Sequence, residues 1–514
     1  MLAIRMTSSD HVWRAATRSL DSHPAWMFAG FCLLHLVVWT VLPAVLYLNL
    51  PLDLIEALTY GREWQIGYDK LPPLPWWMVE VVYRLIGRDW AYYALAQVSV
   101  LAAFLCVWIM ARPIIGARGT LAAILVLDGL HYFNYTAAKF NHDVIELPFW
   151  ALAGLAFHRA LRGGGMVFWL LLGFAMGGAF WAKYFVAVLA ISLFAFMLFD
   201  ATARRHFKTA GPYVAVAVAV MMILPHLIWL VQHDFPPLHY IEYRAVASHG
   251  IFDHVLYPLL MAIDQLGFLL PLFLIALPLF TPDKLLWPKS EPLATRPAIA
   301  SADPFDRRLV TWLAFGPVIT LALMSAVSGR NTVPMWGYPL WLFFSVWLVM
   351  VARFFDAQRL ARIGAMWAFV FSGFAIAFVV NYAVLPSIDL RYRAVLEPGK
   401  QIALELQQRW RAATGTPLAY VLGDMWTGGN VGHYAPDHPR VLIDGDPARA
   451  PWIDINDFKK KGAVVVWYGP DLTHMPDVFL VFGRAAEVQP PLHVPFLRGP
   501  LTQNIGWAIL RPQP

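Results

Sequence analysis

The 514 residues are 59% hydrophobic and only 14% charged, against about 25% charged in an ordinary soluble domain. That excludes a soluble enzyme, a nucleic-acid-binding module and a disordered linker. The formal charge of +6, from 39 basic and 33 acidic residues, fits a polytopic membrane protein whose Lys and Arg gather in cytoplasmic loops, and needs no nucleic acid.

Arg5, Arg14 and Arg18 precede a first apolar run from about residue 25 to 48. It is too long for a signal-peptide core and lacks a small-residue cleavage site, so it reads as a retained signal anchor. Further runs long enough for the ~30 Å hydrocarbon core lie near 91–111, 119–138, 143–161, 166–182, 184–200, 210–232, 256–281, 309–328, 333–352 and 363–386. The expectation is a polytopic α-helical membrane protein of about 11–13 spans. Alternate threading with the N-terminus inside gathers Arg112 and Arg118, Arg159 and Arg162, Arg204 to Lys208, Arg307 and Arg308, and Arg353 to Arg362 on one side, the cytoplasm. It exports the segment 49–90, the turns near Asn141 and Lys183, the loop 233–255 and everything after 387. Residues 282–308 form a cytoplasmic linker.

Residues 1–386 are thus the transmembrane domain and 387–514 a water-soluble α/β domain outside the membrane. The latter has a helical stretch at Gln401 to Ala413 and β-rich runs at Ala463 to Tyr468, Val478 to Phe482 and Ile505 to Leu510. Gly428-Gly429-Asn430 and Asp444-Gly445-Asp446 read as surface turns. Cys32 and Cys106 lie inside apolar runs and read as inert thiols. The 23 Trp suit interfacial belts, and also a sugar site, where an indole face packs on a pyranose.

The most informative segment is Pro51 to Trp77. Asp53 and Glu56 are three apart and share a face of any helix there, where a carboxylate could take a proton from an attacking hydroxyl. The same spacing also fits a capping box, with Asp53 as cap. Lys70, in Gly67-Tyr68-Asp69-Lys70-Leu71-Pro72-Pro73, could pair with a lipid phosphate, or snorkel as a surface lysine. Leu74 to Ile86 reads as an interfacial helix. A second polar cluster, Asn134, Tyr135, Lys139, Asn141, His142, Asp143 and Glu146, enters an apolar run. Acids there are a helix start or a site, and His142 with Asp143 or Glu146 leaves a divalent metal open. Lys183 stands between two apolar runs. His239, Tyr243 and Arg244 sit in an outward loop able to clamp a phosphate or sugar. Arg330, Asn331 and Trp336 form a weaker outward cluster.

Together these features resemble the GT-C superfamily of polytopic glycosyltransferases, in particular the branch of protein O-mannosyltransferases and bacterial aminoarabinose and galacturonic acid transferases of lipid A. Leu52-Asp53-Leu54-Ile55-Glu56-Ala57 stands at its first acidic motif, and Gly67 to Leu74 at its Gly-Tyr and Pro-Pro segment. Asn141-His142-Asp143 is similar to its second acidic motif, Ala182-Lys183-Tyr184 to its later lysine, and Pro334 to Pro339 to a late segment. An outward soluble C-terminal domain is usual. The family commonly has adjacent Asp-Glu before a small residue, so whether Asp53 or Glu56 is the base stays open. Its basic residue directly precedes Pro-Pro, whereas Leu71 intervenes here.

The resemblance implies an inverting transferase at the bacterial inner membrane, N-terminus cytoplasmic and C-terminal domain periplasmic. Its donor would be a sugar on a polyprenyl phosphate, its acceptor a lipid A or lipopolysaccharide core glycolipid, with a protein hydroxyl as the alternative. No nucleotide-binding Gly-rich loop is visible, in accord with a lipid-borne sugar. On this reading Asp53 is the base, Glu56 a supporting or alternative carboxylate and Asp143 an orienting acid. Lys70, Lys183 and Arg244 receive the phosphate, and Tyr68, Asn141, His142, His239, Tyr243, Arg330 and Trp336 contact substrate. The competing reading is a flippase for lipid-linked saccharides, which needs polar residues spread through both membrane halves; here they collect on one side.

Overall fold

The computed structural model describes residues 22–245, 247–281, 302–352 and 355–513. Arg5, Arg14, Arg18, Arg353 and the linker residues 282–301 lie outside the described residues, as does the side chain of Tyr243. A long apolar helix α1 (Pro24–Leu46) is followed by two shorter ones, α2 (Leu52–Gly61) and α3 (Leu74–Leu85). Then come α4 (Asp89–Leu127), α5 (His142–Leu161), α6 (Met166–Ala182), α7 (Val186–Phe199), α8 (Gly211–Gln232), α9 (Pro236–Arg244), α10 (Asp253–Ala276), α11 (Pro304–Ser328), α12 (Phe344–Val351) and α13 (Ala357–Val379).

Among the described residues seven helices are long and apolar enough to cross a membrane, namely α1, α4, α5, α8, α10, α11 and α13, or eight if α7 is joined to the segment Ala201–Lys208, which bends from it by 90°. The chain is a multi-span helical membrane protein. Two expected spans are shorter as helices. After a break at Gly116, whose φ of 72° is open to glycine without strain, the next apolar run is helical only to Leu127. Asp128, Gly129 and Asn134 then interrupt it, and two single 3₁₀ turns, His131–Phe133 and Thr136–Ala138, carry the chain to Asn141. The run 333–352 likewise holds Pro334, Gly337 and Pro339, which confine its α-helix to the eight residues of α12.

The residues fall into two compact units. The first comprises residues up to Thr40, Ala94–Ala138 and His142–Ile376. In it α5 and α6 form a hairpin, and α6 packs on α8 with Gly173 against the Ala215 carbonyl and Gly177 against Met222, an approach that a Cβ would block. At one end of these helices Asp306 accepts from Arg162 at 2.9 and 2.6 Å and lies 3.0 Å from His158, while Asp200 accepts from Arg308 at 2.6 Å. Arg162 and Arg308, two of the basic residues expected on one side, thus share one end of the bundle. In its interior Asp128 accepts from the Trp367 indole at 2.7 Å and approaches His35 Nδ1 at 3.2 Å. His35 Nε2 lies 3.1 Å from Gln97 Oε1, whose amide nitrogen donates to the Ala137 carbonyl at 2.9 Å.

The second unit comprises Val41–Tyr93, Lys139–Asn141 and Ala377–Pro514. Its helices α14 (Gly399–Thr414), α15 (Thr427–Tyr434) and α16 (Ile455–Lys461) flank a mixed sheet of β1 (Tyr420–Gly423), β2 (Arg440–Ile443), β3 (Ala463–Trp467), β4 (Glu487–Val488), β5 (Leu492–Pro495) and β6 (Thr502–Leu510). The order is β2-β1-β3-β6-β4, with β5 also paired to β6; β2, β1 and β3 run parallel and β6 antiparallel to β3. The period-2 alternation sends Val421, Val464, Val466 and Trp507 to a core with Leu406 and Trp410 of α14. Leu422, Val465, Trp467 and Ala508 face a second core with Phe458 and Phe479. Both sheet faces are covered, which is why the strands read as continuous apolar runs.

Two local expectations change. Val478 to Phe482 is helical, not a strand: Val478 and Val481 are exposed, while Phe479 enters the core and Phe482 packs against it, a spacing that fits a helix turn and not the alternation of a strand. Gly428-Gly429-Asn430 lies inside α15, not in a turn. A Cβ at Gly429 would stand 2.7 Å from Ile55 Cγ2 on α2, so the glycine lets the two helices touch. Asp444-Gly445-Asp446 is a turn, with φ of 53° at Asp444 and 67° at Gly445.

Gly429→Val should lower the thermal midpoint of the purified protein by several degrees, since overpacking costs about 1–3 kcal/mol; an unchanged midpoint would contradict the contact. Burial, aided by His438 and Arg62, pushes the His433 imidazole from the usual 6.5 down to about 4. The unfolded chain then binds more protons than the folded one between those values, so stability falls as pH drops through this window. Melting curves at about pH 7 and about pH 5 should show a smaller acid loss in His433→Asn than in the parent.

Candidate functional site

In the second unit, α2 opens at Pro51, whose φ of −65° starts the helix without a side-chain cap. The capping box expected as one alternative does not form. Asp53 lies in the first turn, half-buried, and its Oδ2 accepts from Asn141 Nδ2 at 3.1 Å. No partner for its Oδ1 is found among the described residues. Glu56, one turn on, is 6% exposed and accepts from Lys70 Nζ at 2.5 Å. Burial raises the Glu56 carboxyl above the ordinary range, and the Lys70 charge pulls it back down. The two carboxylates therefore differ: one is open and oriented by an amide, the other is sealed against an ammonium.

The loop after α2 is held from several directions. Tyr68 is buried, its hydroxyl donating to the Tyr60 carbonyl at 2.8 Å and accepting from the Gln65 N–H at 3.0 Å. It braces the loop, and the expected substrate contact from its side chain is not available. Asp69 accepts from the Tyr60 hydroxyl at 2.7 Å and from Arg449 Nε at 2.8 Å, and Arg449 also pairs with Asp444. Nearby, Glu63 pairs with Arg440. Lys70 is likewise engaged by Glu56.

In the first unit, Asp143 starts α5 and Lys183 occupies the turn between α6 and α7, where its ammonium donates to Asp143 Oδ1. Both are buried, as is His142. Lys183 lies 5.3 Å over the Phe185 ring, and Phe185 meets Trp150 at 5.9 Å and Trp336 at 5.8 Å. Glu146, on the next turn of α5, is fully buried, and neither carboxylate oxygen has a hydrogen-bond partner among the described residues.

Trp336 also lines a groove of about 1140 Å³ along α11, walled mainly by apolar residues such as Ile191, Phe196, Trp312 and Leu323. Arg330 and Asn331 stand at one end and Arg307 and Arg308 at the other. Over the 25 residues of α11 this is a reach of about 36 Å at 1.5 Å per residue, long enough for a lipid chain. Arg330 Nη1 donates to the Ala245 carbonyl at 3.1 Å, beside Arg244. Arg244 and His239 are exposed on α9, with no ion pair for either among the described residues. The structure therefore groups Asp53 with Asn141, Glu56 with Lys70, Asp143 with Lys183, and Arg330 with Trp336. It does not bring His239 into any of these groups.

Sequence reading passed over Arg449 and Arg440, which reach Asp69 and Glu63 from nearly four hundred residues away, and nothing local announces such partners. His35 and Asp128 were visible as ionisable residues in apolar runs. No three His, Cys, Asp or Glu side chains among the described residues converge to hold a metal ion.

Residues 70–229 match the family of dolichyl-phosphate-mannose-protein mannosyltransferases. The lipopolysaccharide core galacturonosyltransferase RgtA of Rhizobium johnstonii is 27% identical over 42% of this chain and 43% of its own length. The lipid A galacturonosyltransferase RgtD of the same organism is 28% identical over 34% of this chain and 37% of its own. The matches thus span less than half the length of these relatives. The crystal structure of ArnT from Cupriavidus metallidurans bound to undecaprenyl phosphate superposes with a TM-score of 0.62 at 16% identity, covering 95% of this chain and 98% of that one. Its apo form gives 0.57. The chain has the GT-C-type fold and resembles the branch named from its motifs.

Lys70→Met should destabilise the protein by about 1–3 kcal/mol, because it strands a buried carboxylate. Glu56→Gln combined with Lys70→Met should cost less than the two single changes summed. Thermal unfolding of all three variants reads this coupling, and strict additivity would refute it.

Proposed function

We propose that this protein is an inverting glycosyltransferase that moves a sugar from a polyprenyl-phosphate carrier to an envelope glycolipid at the outer face of the bacterial inner membrane. The observation that carries it is the division of labour among the acids: Asp53 is open and oriented by Asn141, whereas Glu56 and Asp143 are each held by a lysine. The likeness to lipid A and lipopolysaccharide core galacturonosyltransferases, and to ArnT with its undecaprenyl phosphate, supports the choice of donor and acceptor. On this reading the N-terminus is cytoplasmic, and the C-terminal domain with the first loop is periplasmic.

The chemistry follows from the groups. Asp53 Oδ1 accepts the proton of the acceptor hydroxyl as its oxygen bonds the anomeric carbon. The bond from that carbon to the phosphate oxygen breaks with inversion, and its electron pair leaves on the polyprenyl phosphate. The departing anion is met by cations. Lys183 has three donor hydrogens, so it can keep Asp143 and add a phosphate oxygen, and Arg330 at the groove mouth offers a fork to the same group. The apolar groove along α11 takes the tail. Glu56 neutralises Lys70 and holds the loop.

The groove reaches toward both ends of α11, which favours lipid passage as a second reading. Release of free polyprenyl phosphate by the purified protein separates the two, since a flippase leaves the donor intact.

Asp53→Asn should lower turnover of lipid-linked sugar at least 100-fold, within the range of general-base effects. Glu56→Gln should lower it less than tenfold. Full activity in Asp53→Asn would remove Asp53 from the role.

A further inference from the structure

A second polar cavity, of about 310 Å³, lies wholly within the unit that carries Asp53. Its wall is made by the end of α1 (Tyr47, with Leu52 just beyond), by Lys139, by the π-helical turn Val380–Val384, and by the extended stretch Arg391-Tyr392-Arg393. Two of these residues adjoin the open carboxylate along the chain: Leu52 immediately precedes Asp53, and Lys139 stands two residues before Asn141, the amide that orients it.

The charges in the wall do not cancel. Arg393 is buried and spends its guanidinium on Asp389, at 2.7 and 2.9 Å, with Asn381 Oδ1 at 3.4 Å. That pairing uses the one negative charge of Asp389. Arg391 stands 4.0 Å from the same carboxylate with its side chain 83% exposed. For Lys139, partly exposed, no ion pair is found among the described residues. Two cations thus face a cavity without a matching anion. A guanidinium and an ammonium so placed select a phosphate or carboxylate through charge-assisted hydrogen bonds.

The wall also carries three tyrosines, Tyr47, Tyr382 and Tyr392. Tyr47 and Tyr382 meet edge to face at 4.9 Å, and Tyr382 meets Phe378 at 4.8 Å. Tyr392 is fixed by its hydroxyl, which donates to Glu397 at 2.6 Å. Such rings offer an apolar face to a sugar. At the small end of ligand pockets, roughly 300–1,000 Å³, the cavity suits one sugar ring with an anionic substituent. It has nothing like the apolar length of the groove along α11.

We infer that the cavity between Tyr47, Lys139, Tyr382 and Arg391 is the acceptor subsite, which binds a phosphate- or carboxylate-bearing sugar of the acceptor glycolipid and so presents a neighbouring hydroxyl to Asp53. This rests on the transferase reading and adds to it a requirement: the acceptor must be anionic close to the hydroxyl that is glycosylated. Lys139 and Arg391 decide which glycolipid is accepted and take no part in bond making.

The test measures binding and turnover separately on the full-length protein in detergent. Phosphorylated lipid A, the same lipid A after phosphatase treatment, phosphatidylglycerol and inorganic phosphate are titrated against the parent, Lys139→Gln/Arg391→Gln and Lys139→Arg/Arg391→Lys. Expected is at least tenfold tighter binding of phosphorylated than of dephosphorylated lipid A by the parent, loss of that preference in the Gln pair and its retention in the charge-conserving pair. In turnover assays the Gln pair should raise the KM for the phosphorylated acceptor at least tenfold and leave that for the donor within twofold. Equal binding of both lipid A forms by the parent overturns the subsite. So does phosphatidylglycerol binding as tightly as lipid A, which marks a general lipid patch. So does inorganic phosphate binding as tightly, which marks a bare anion patch, or a rise in donor KM instead of acceptor KM. If the parent shows the charge-dependent binding yet releases no polyprenyl phosphate from any donor, the transferase reading fails while the binding site stands.

Discussion

Charge pairing decides which of this protein's acids keep an open oxygen. A carboxylate taken out of water must find a counter-charge or give up its own. Glu56 finds Lys70, and Asp143 finds Lys183, each across a turn that brings a lysine back to an acid. Asp53 is an exception, with no ion pair among the described residues. It sits half-buried in the first turn of α2 with one oxygen held by Asn141. Glu146 is the opposite exception, fully buried with no hydrogen bond among the described residues.

The segment around Asp53 is held by a domain far from it in sequence. Glu63 meets Arg440, Asp69 meets Arg449, and α2 lies on α15 at Gly429. Each contact is of a different kind, an ion pair, a buried network and a glycine seam, yet all act on the thirty residues after α1. These contacts fix the loop in place, and a proposed general base on α2 depends on such positioning. The soluble domain is in this sense part of the machinery that shapes the first loop.

The helical scaffold was largely legible because its cause is local. Apolar runs of about twenty residues have few other solutions in a bilayer, and the runs beginning near 25, 143, 210, 256, 309 and 363 each became a long helix. Where reading overshot, single residues explain it: Asp128 and Asn134 in one run, and Pro334, Gly337 and Pro339 in another, end helices that hydropathy averaged over would continue. In the soluble domain the central strands at Ala463 and Ile505 were legible as apolar runs, but Val478 to Phe482 was not a strand, since composition does not say whether a sheet has room for another edge.

Composition and order alone established a polytopic membrane protein with a soluble C-terminal domain, and collected Asp53, Glu56, Lys70, Asn141, Asp143 and Lys183 as the residues worth attention. They could not choose between Asp53 and Glu56, because both lie on one helical face and spacing is blind to burial. Tertiary structure tells the two apart by placing Lys70 against Glu56 and Asn141 against Asp53. It likewise moved Tyr68 from the surface to the interior and brought Arg440 and Arg449 to a loop nearly four hundred residues earlier. Hydrophobic pattern is a property of neighbours along the chain, so sequence carries it; the state of an ionisable group depends on what surrounds it in space, and only the fold supplies that.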